Sequence, residues 1–148
     1  MTSQVVEMLL IEDNADDEEL ILHTLREANL INRIKVIRDG VEALDYLFCE
    51  GQYAGRGTQP NPLLILLDVK LPRIDGIQVL EKIKHDKRTQ SIPVVMLTSS
   101  REEPDIAHSY QLGANSYIVK PVDFAQFQQA IQQVGLYWKV LNEPPISD

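Results

Sequence analysis

The chain predicts an α/β fold: a doubly wound, flavodoxin-like (βα)5 sandwich whose parallel sheet runs in the order 2-1-3-4-5. Three observations predict it. Leu63-Leu64-Ile65-Leu66-Leu67 is an unbroken aliphatic run, as expected of a strand buried on both faces. Similar short apolar runs alternate with segments of helical periodicity, five times over, which implies a parallel sheet with helices on both sides. Several of these runs end in a polar or charged residue, and ligands of open α/β sheets bind beyond the carboxyl ends of the strands.

Taken in order, Val5 to Ile11 reads as the first strand and delivers Glu12 and Asp13. Asn14 is placed to cap a helix from about Ala15 to Ala28, with Leu20, Ile21, Leu25 and Ala28 as its apolar face. The acids Asp16 to Glu19 fill its first turn, where the helix dipole favours them. Ile34, Val36 and Ile37 form a second strand, and Asp39 precedes a helix through Val41, Leu44, Leu47 and Phe48. Residues 51 to 62 are rich in Gly, Pro and polar groups and read as an exposed loop. That loop lacks the GxxxxGK[ST] pattern of a phosphate-cradling loop and precedes a strand rather than a helix. The central strand then delivers Asp68, and Pro72 and Gly76 turn the chain. Ile77, Leu80 and Ile83 mark a third helix ending near Asp86. Pro93 to Leu97 is a fourth strand followed by Thr98, Ser99 and Ser100, and a helix from about Pro104 to Leu112 ends at Gly113. Tyr117-Ile118-Val119 is the fifth strand, delivering Lys120 and Pro121. Asp123 and Gln126 open a last helix that reaches about Leu141.

Composition sets the bounds. The 148 residues read as one domain, with a core from about 5 to 141 and a tail over 142–148. A formal net charge of -8 disfavours direct contact with nucleic acid or an anionic membrane. One cysteine, Cys49, allows no intrachain disulfide, and its place in an apolar helical stretch points to a buried or half-buried structural thiol. No leader sequence or run of about 20 apolar residues is visible. A cytoplasmic location is expected. His23, His85 and His108 read as ordinary surface or half-buried residues.

In the predicted strand order, Glu12, Asp13, Asp68, Thr98 and Lys120 meet at one edge of the sheet. Three adjacent carboxylates repel and need a counter-charge. A hard divalent cation with oxygen ligands fits, Mg2+ first and Mn2+ as an alternative. A carboxylate can also act as a nucleophile toward phosphorus. Phosphoryl transfer then needs positioning and charge neutralisation, which a cation, the Lys120 ammonium and the Thr98 hydroxyl can supply.

Leu10-Ile11-Glu12-Asp13-Asn14, Leu67-Asp68, Leu71-Pro72-Arg73-Ile74-Asp75-Gly76, Leu97-Thr98-Ser99 and Tyr117-Ile118-Val119-Lys120-Pro121 resemble, in order, the motifs of CheY-type receiver domains. These are the phosphoacceptor modules of two-component response regulators, and the resemblance covers about residues 5 to 140. It implies that Asp68 is the phosphoacceptor and that Glu12 and Asp13 hold the metal with Asp68 and the backbone carbonyl of Lys70. It further implies that Thr98 is the switch hydroxyl, Tyr117 the switch aromatic that turns inward and Lys120 the lysine that contacts phosphate. A cis Lys120-Pro121 bond is expected on the same ground. Ser99 departs from the alanine or glycine frequent in the family, and Lys70 sets a long cation beside the site.

The long loop before the central strand, the Leu97-Thr98-Ser99-Ser100 stretch and the extended Tyr137-Trp138 end resemble single-domain, phytochrome-associated regulators of cyanobacterial type. That resemblance implies a histidine kinase coupled to a light receptor as partner, and homodimers through the last helix. Phe124, Phe127, Ile131, Val134, Trp138 and Leu141 make one apolar stripe. Tyr137, Trp138 and Leu141 are the candidate interface. With no effector domain read in the chain, output is expected to pass through another protein or back through the kinase. Two rivals stand beside this reading: a metal-dependent phosphatase with a covalent aspartyl-phosphate, and an interaction module indifferent to phosphate. The first commonly needs an acid two residues after the nucleophile, where this chain has Lys70.

Overall fold

The structure is a computed structural model and describes residues 8–27, 33–57, 60–99 and 104–134. The strands are β1 (Met8–Ile11), β2 (Ile34–Ile37), β3 (Leu64–Asp68), β4 (Val94–Thr98) and β5 (Ser116–Val119). The helices are α1 (Ala15–Glu27), α2 (Gly40–Phe48), α3 (Gly76–Lys84), α4 (Pro104–Gln111) and α5 (Phe124–Gln133). All strand pairs are parallel and the order is β2-β1-β3-β4-β5, as the alternation of elements predicts.

Side chains alternate across the sheet, so each strand feeds two cores. Met8, Leu10, Leu64, Leu66, Val95 and Leu97 face α1 and α5, where Ile21, Leu25, Phe127 and Ile131 meet them. Leu9, Ile11, Ile65, Leu67, Val94 and Met96 face α2 and α3, meeting Ala43, Leu47, Val79, Leu80 and Ile83. Each buried leucine or isoleucine contributes about 2–3 kcal/mol by leaving water. This two-sided burial explains why β1, β3 and β4 are continuous apolar runs rather than alternating ones.

Four local readings need correction. Residues 51–56 are mostly exposed, as expected, but form a 3-10 turn rather than an irregular loop, and Arg56 within it is only 6% exposed. Its guanidinium stacks 4.0 Å from the Tyr46 ring centroid and its Nε donates to the Tyr46 carbonyl at 2.7 Å. Leu20 points away from the core, leaving Ile21 and Leu25 as the buried face of α1. Phe124 is likewise exposed, so the α5 stripe begins at Phe127. Cys49 is not inside a helix; it caps α2 with φ 59° as a half-buried free thiol. The expected continuation of α5 to Leu141, with Tyr137, Trp138 and Leu141, lies outside the described residues.

The β3–α3 connection is set by two close approaches. A Cβ on Gly76 would stand 2.0 Å from the Asp68 carbonyl oxygen, and one on Gly40 would stand 2.4 Å from that of Ile74. Both contacts are backbone, which cannot swing aside. Asp75 then starts α3 with a reciprocal capping box to Gln78. Gly76→Ala is therefore expected to destabilise the fold by about 2–3 kcal/mol in urea denaturation, through overpacking against the strand that carries Asp68.

Candidate phosphoacceptor site

The ends of β1 and β3 and the first turn of α1 converge on one ammonium. Lys120, just after β5, places its Nζ 2.8 Å from Asp68 Oδ2, 2.9 Å from Asp17 Oδ2 and 3.0 Å from Glu12 Oε1. Its backbone is held by donation to the Thr98 carbonyl at 2.8 Å, and the following peptide bond to Pro121 is cis. Asp68 ends β3 with a side chain only 7% exposed, and its Oδ1 accepts the Lys70 N–H at 3.1 Å. Glu12 is fully buried, while Asp13 is exposed beside it. Carboxylate oxygens of Glu12, Asp13 and Asp68 all lie within 4.8 Å of one another.

The electrostatics follow from burial and crowding. Burial first, and Asp68 second, push the Glu12 carboxyl up to about 7, against the opposing pull of Lys120. For Lys120, burial works against the charged form. Its hydrogen bonds to Asp17 and Asp68, with the contact to Glu12, outweigh that and hold it above the usual lysine range. Three carboxylates thus share one ammonium, with Asp13 a fourth acid close by, and the group remains short of positive charge.

A divalent cation fits that deficit. The three clustered donors are all oxygen, the preference of hard cations. Glu12 Oε2 is occupied by the Asn14 N–H at 3.1 Å, but Oε1 is buried and has no hydrogen-bond partner, the Lys120 contact being too poorly aligned. A cleft of about 460 Å³, lined by Asp13, Val69, Lys70, Leu71, Pro72 and Asp75, opens beside the carboxylates.

The remaining expected residues have these positions. Thr98 is buried at the end of β4, next to β3. Tyr117 is half-buried in β5, its ring edge-on to Tyr110 at 6.0 Å. Lys70 enters the site by its N–H, and its side chain is exposed. Sequence reasoning missed Asp17, which it treated only as a helix-dipole acid. The signal was there: a helix that follows β1 begins at the same sheet edge as the strand tips.

The family of the response regulator receiver domain matches residues 8–132. The chain belongs to that family. The bacteriophytochrome response regulator RtBRR has a solved structure that is 50% identical, with a TM-score of 0.85, covering 95% of this chain and 84% of its own. The response regulator Rcp1 of Synechocystis is 35% identical over 88% of this chain and 87% of its own length. The Mn2+-bound form of Rcp1 superposes with a TM-score of 0.72, over 95% of this chain and 98% of that one. The probable methanogenesis regulatory protein FilR2 of Methanothrix harundinacea is 37% identical over 93% of this chain and 86% of its own length. Neither the phosphatase nor the phosphate-blind module is favoured by these likenesses.

The raised Glu12 value has a consequence for stability in metal-free buffer. Between about 4.5 and 7 the folded chain keeps a proton on Glu12 that the unfolded chain has released. Stability therefore falls as pH rises through that window. Glu12→Gln is expected to flatten this slope, removing on the order of 2 kcal/mol of pH-dependent loss, as read by urea denaturation across the window.

Proposed function

We propose that the chain works as a single-domain response regulator that accepts a phosphoryl group from a partner histidine kinase onto Asp68. The observation that carries this is the Asp68 carboxylate at the tip of the central strand, hydrogen-bonded to Lys120 and grouped with Glu12 and Asp13. An Asp68 oxygen attacks phosphorus, and the bond from phosphorus to the donor's histidine nitrogen breaks. Glu12, Asp13 and Asp68, with the Lys70 carbonyl, would hold Mg2+, or Mn2+ in its place. When bound, the ion neutralises charge on the phosphoryl oxygens. Lys120 offers its ammonium to those oxygens and Thr98 its hydroxyl. Movement of Thr98 toward the new group frees space that Tyr117 turns into, which carries the signal to the β5 surface.

The kinase is of phytochrome type on this reading, supported by the description of RtBRR and its 50% identity. Residues around Tyr137, Trp138 and Leu141 form a homodimer seam, supported by their apolar spacing and by the exposed Phe124 earlier on α5. The protein acts in the cytoplasm and turns over no separate substrate. Among the described residues, no helix is long and apolar enough to cross a membrane.

Acetyl phosphate with Mg2+ is expected to add one phosphoryl mass to the intact chain, and Asp68→Asn to abolish it. Equal adduct on the Asn variant would overturn the assignment of Asp68. Sedimentation of the same samples is expected to give a dimer that Trp138→Ala weakens at least about tenfold, as for an aromatic interface anchor. A wild type that stays monomeric with and without the adduct removes the seam.

A further inference from the structure

Asp17 is the carboxylate of the cluster that receiver chemistry as set out above does not use. Its Oδ2 lies 2.9 Å from Lys120 Nζ, as close as the other two acids. Unlike Glu12 and Asp68, it stands outside the set of acids whose oxygens converge for a cation. The lysine has three N–H donors and, at rest, three carboxylate neighbours. Glu12 and Asp68 would give oxygens to a bound cation, and phosphorylation would change Asp68 itself. Two of the three partners are altered in the reaction, and Asp17 is the one that persists.

The turn that carries Asp17 is also well fixed. The Asp17 backbone N–H donates to Asn14 Oδ1 at 2.9 Å, which pins the first turn of α1. Glu18 on the same turn is held by Arg38 at 2.9 Å. The Lys120 stem, by contrast, has four rotatable side-chain bonds, and its charged end would scatter among solvent and neighbouring acids without a stationary partner.

We propose that Asp17 is a positioning residue for phosphoryl transfer, anchoring the Lys120 ammonium at the tip of β3 while its other two partners exchange. The inference rests on Asp68 being the phosphoacceptor. In the step it serves, an Asp68 oxygen bonds to the phosphorus of acetyl phosphate and the bridging P–O bond breaks. Acetate leaves with the electron pair, and no proton moves. Lys120, kept in place by Asp17, meets the charge on the transferring oxygens.

The test is the initial rate of adduct formation on the full chain with acetyl phosphate and saturating Mg2+, read by intact mass. Asp17→Ala is expected to slow it roughly ten- to a hundredfold, the upper figure being what a misplacement of about 1 Å can cost. Asp17→Glu is expected to recover most of the rate, because it restores the anion. Mg2+ affinity by calorimetry and melting temperature should stay near wild type in both. An alanine variant phosphorylated as fast as wild type, or faster, overturns the proposal. So does a slow variant whose Mg2+ affinity or melting temperature falls in parallel, since the role is then structural. A wild type that takes no phosphoryl group, or an Asp68→Asn chain that takes as much, is a different result. It removes the reading of Asp68, and this inference with it.

Discussion

The site depends on one ammonium shared among carboxylates. Glu12, Asp17 and Asp68 approach Lys120 from β1, α1 and β3, and the lysine itself follows β5. Buried like charges repel strongly, and a buried ion pair seldom adds net stability over apolar packing. What such a network supplies instead is a defined arrangement: the lysine ties one edge of the sheet together and leaves an anionic surplus that a cation can meet. Lys84 makes the contrast plain. It is also half-buried, but among the described residues its Nζ donates to neutral oxygens, the carbonyls of Gln90 and Ile92 and the amide oxygen of Asn115. Burial therefore lowers its pKa, whereas carboxylate neighbours raise that of Lys120. The same residue type serves as a neutral-partner staple in one place and as the counter-ion of a carboxylate cluster in the other.

The loop after Asp68 is held by means other than charge. Arg73 occupies a left-handed conformation, φ 71°, which costs a non-glycine residue about 1 kcal/mol. Its ion pair with Asp39, at 3.2 Å, is largely exposed and offsets little of that. The tight approaches at Gly40 and Gly76 and the capping box of Asp75 do most to fix the path. Asp39 links the two regions, because the oxygen that Arg73 reaches also accepts the Glu42 N–H that opens α2. The loop that carries Lys70 is thus referenced to both α2 and α3, which keeps the cleft beside Asp68 in a set shape.

Much of this was legible in the sequence, for identifiable reasons. Leu63 to Leu67 and Val94 to Leu97 need burial on both faces, so they announced a parallel sheet, and strand order followed from topology rules. Glu12, Asp13, Asp68, Thr98 and Lys120 could be placed because each immediately follows, or ends, an apolar run. Asp17 was harder, since its partner is 103 residues away and helix-dipole stabilisation already accounts for an acid in a first turn. Arg56 was hidden by its Gly- and Pro-rich surroundings. Only the contact with Tyr46, ten residues earlier, turns an apparent loop into a packed turn. Leu20 and Phe124 show the remaining limit: apolar identity marks a face only to within about one helical position, and packing decides which neighbour goes inside.

The central claim is that Lys120 is a shared counter-ion, tied to three carboxylates at rest and, still held by Asp17, offered to the phosphoryl group when Asp68 carries one. A crystal structure of the full chain with Mg2+ and beryllium trifluoride, a stand-in for the phosphoryl group on Asp68, tests it most directly. The account predicts the trifluoride on Asp68, Mg2+ shared by Glu12, Asp13 and Asp68, and Lys120 Nζ on a fluoride while still touching Asp17. A trifluoride seated elsewhere, or a Lys120 still bound to the Asp68 carboxylate and away from every fluoride, would contradict it.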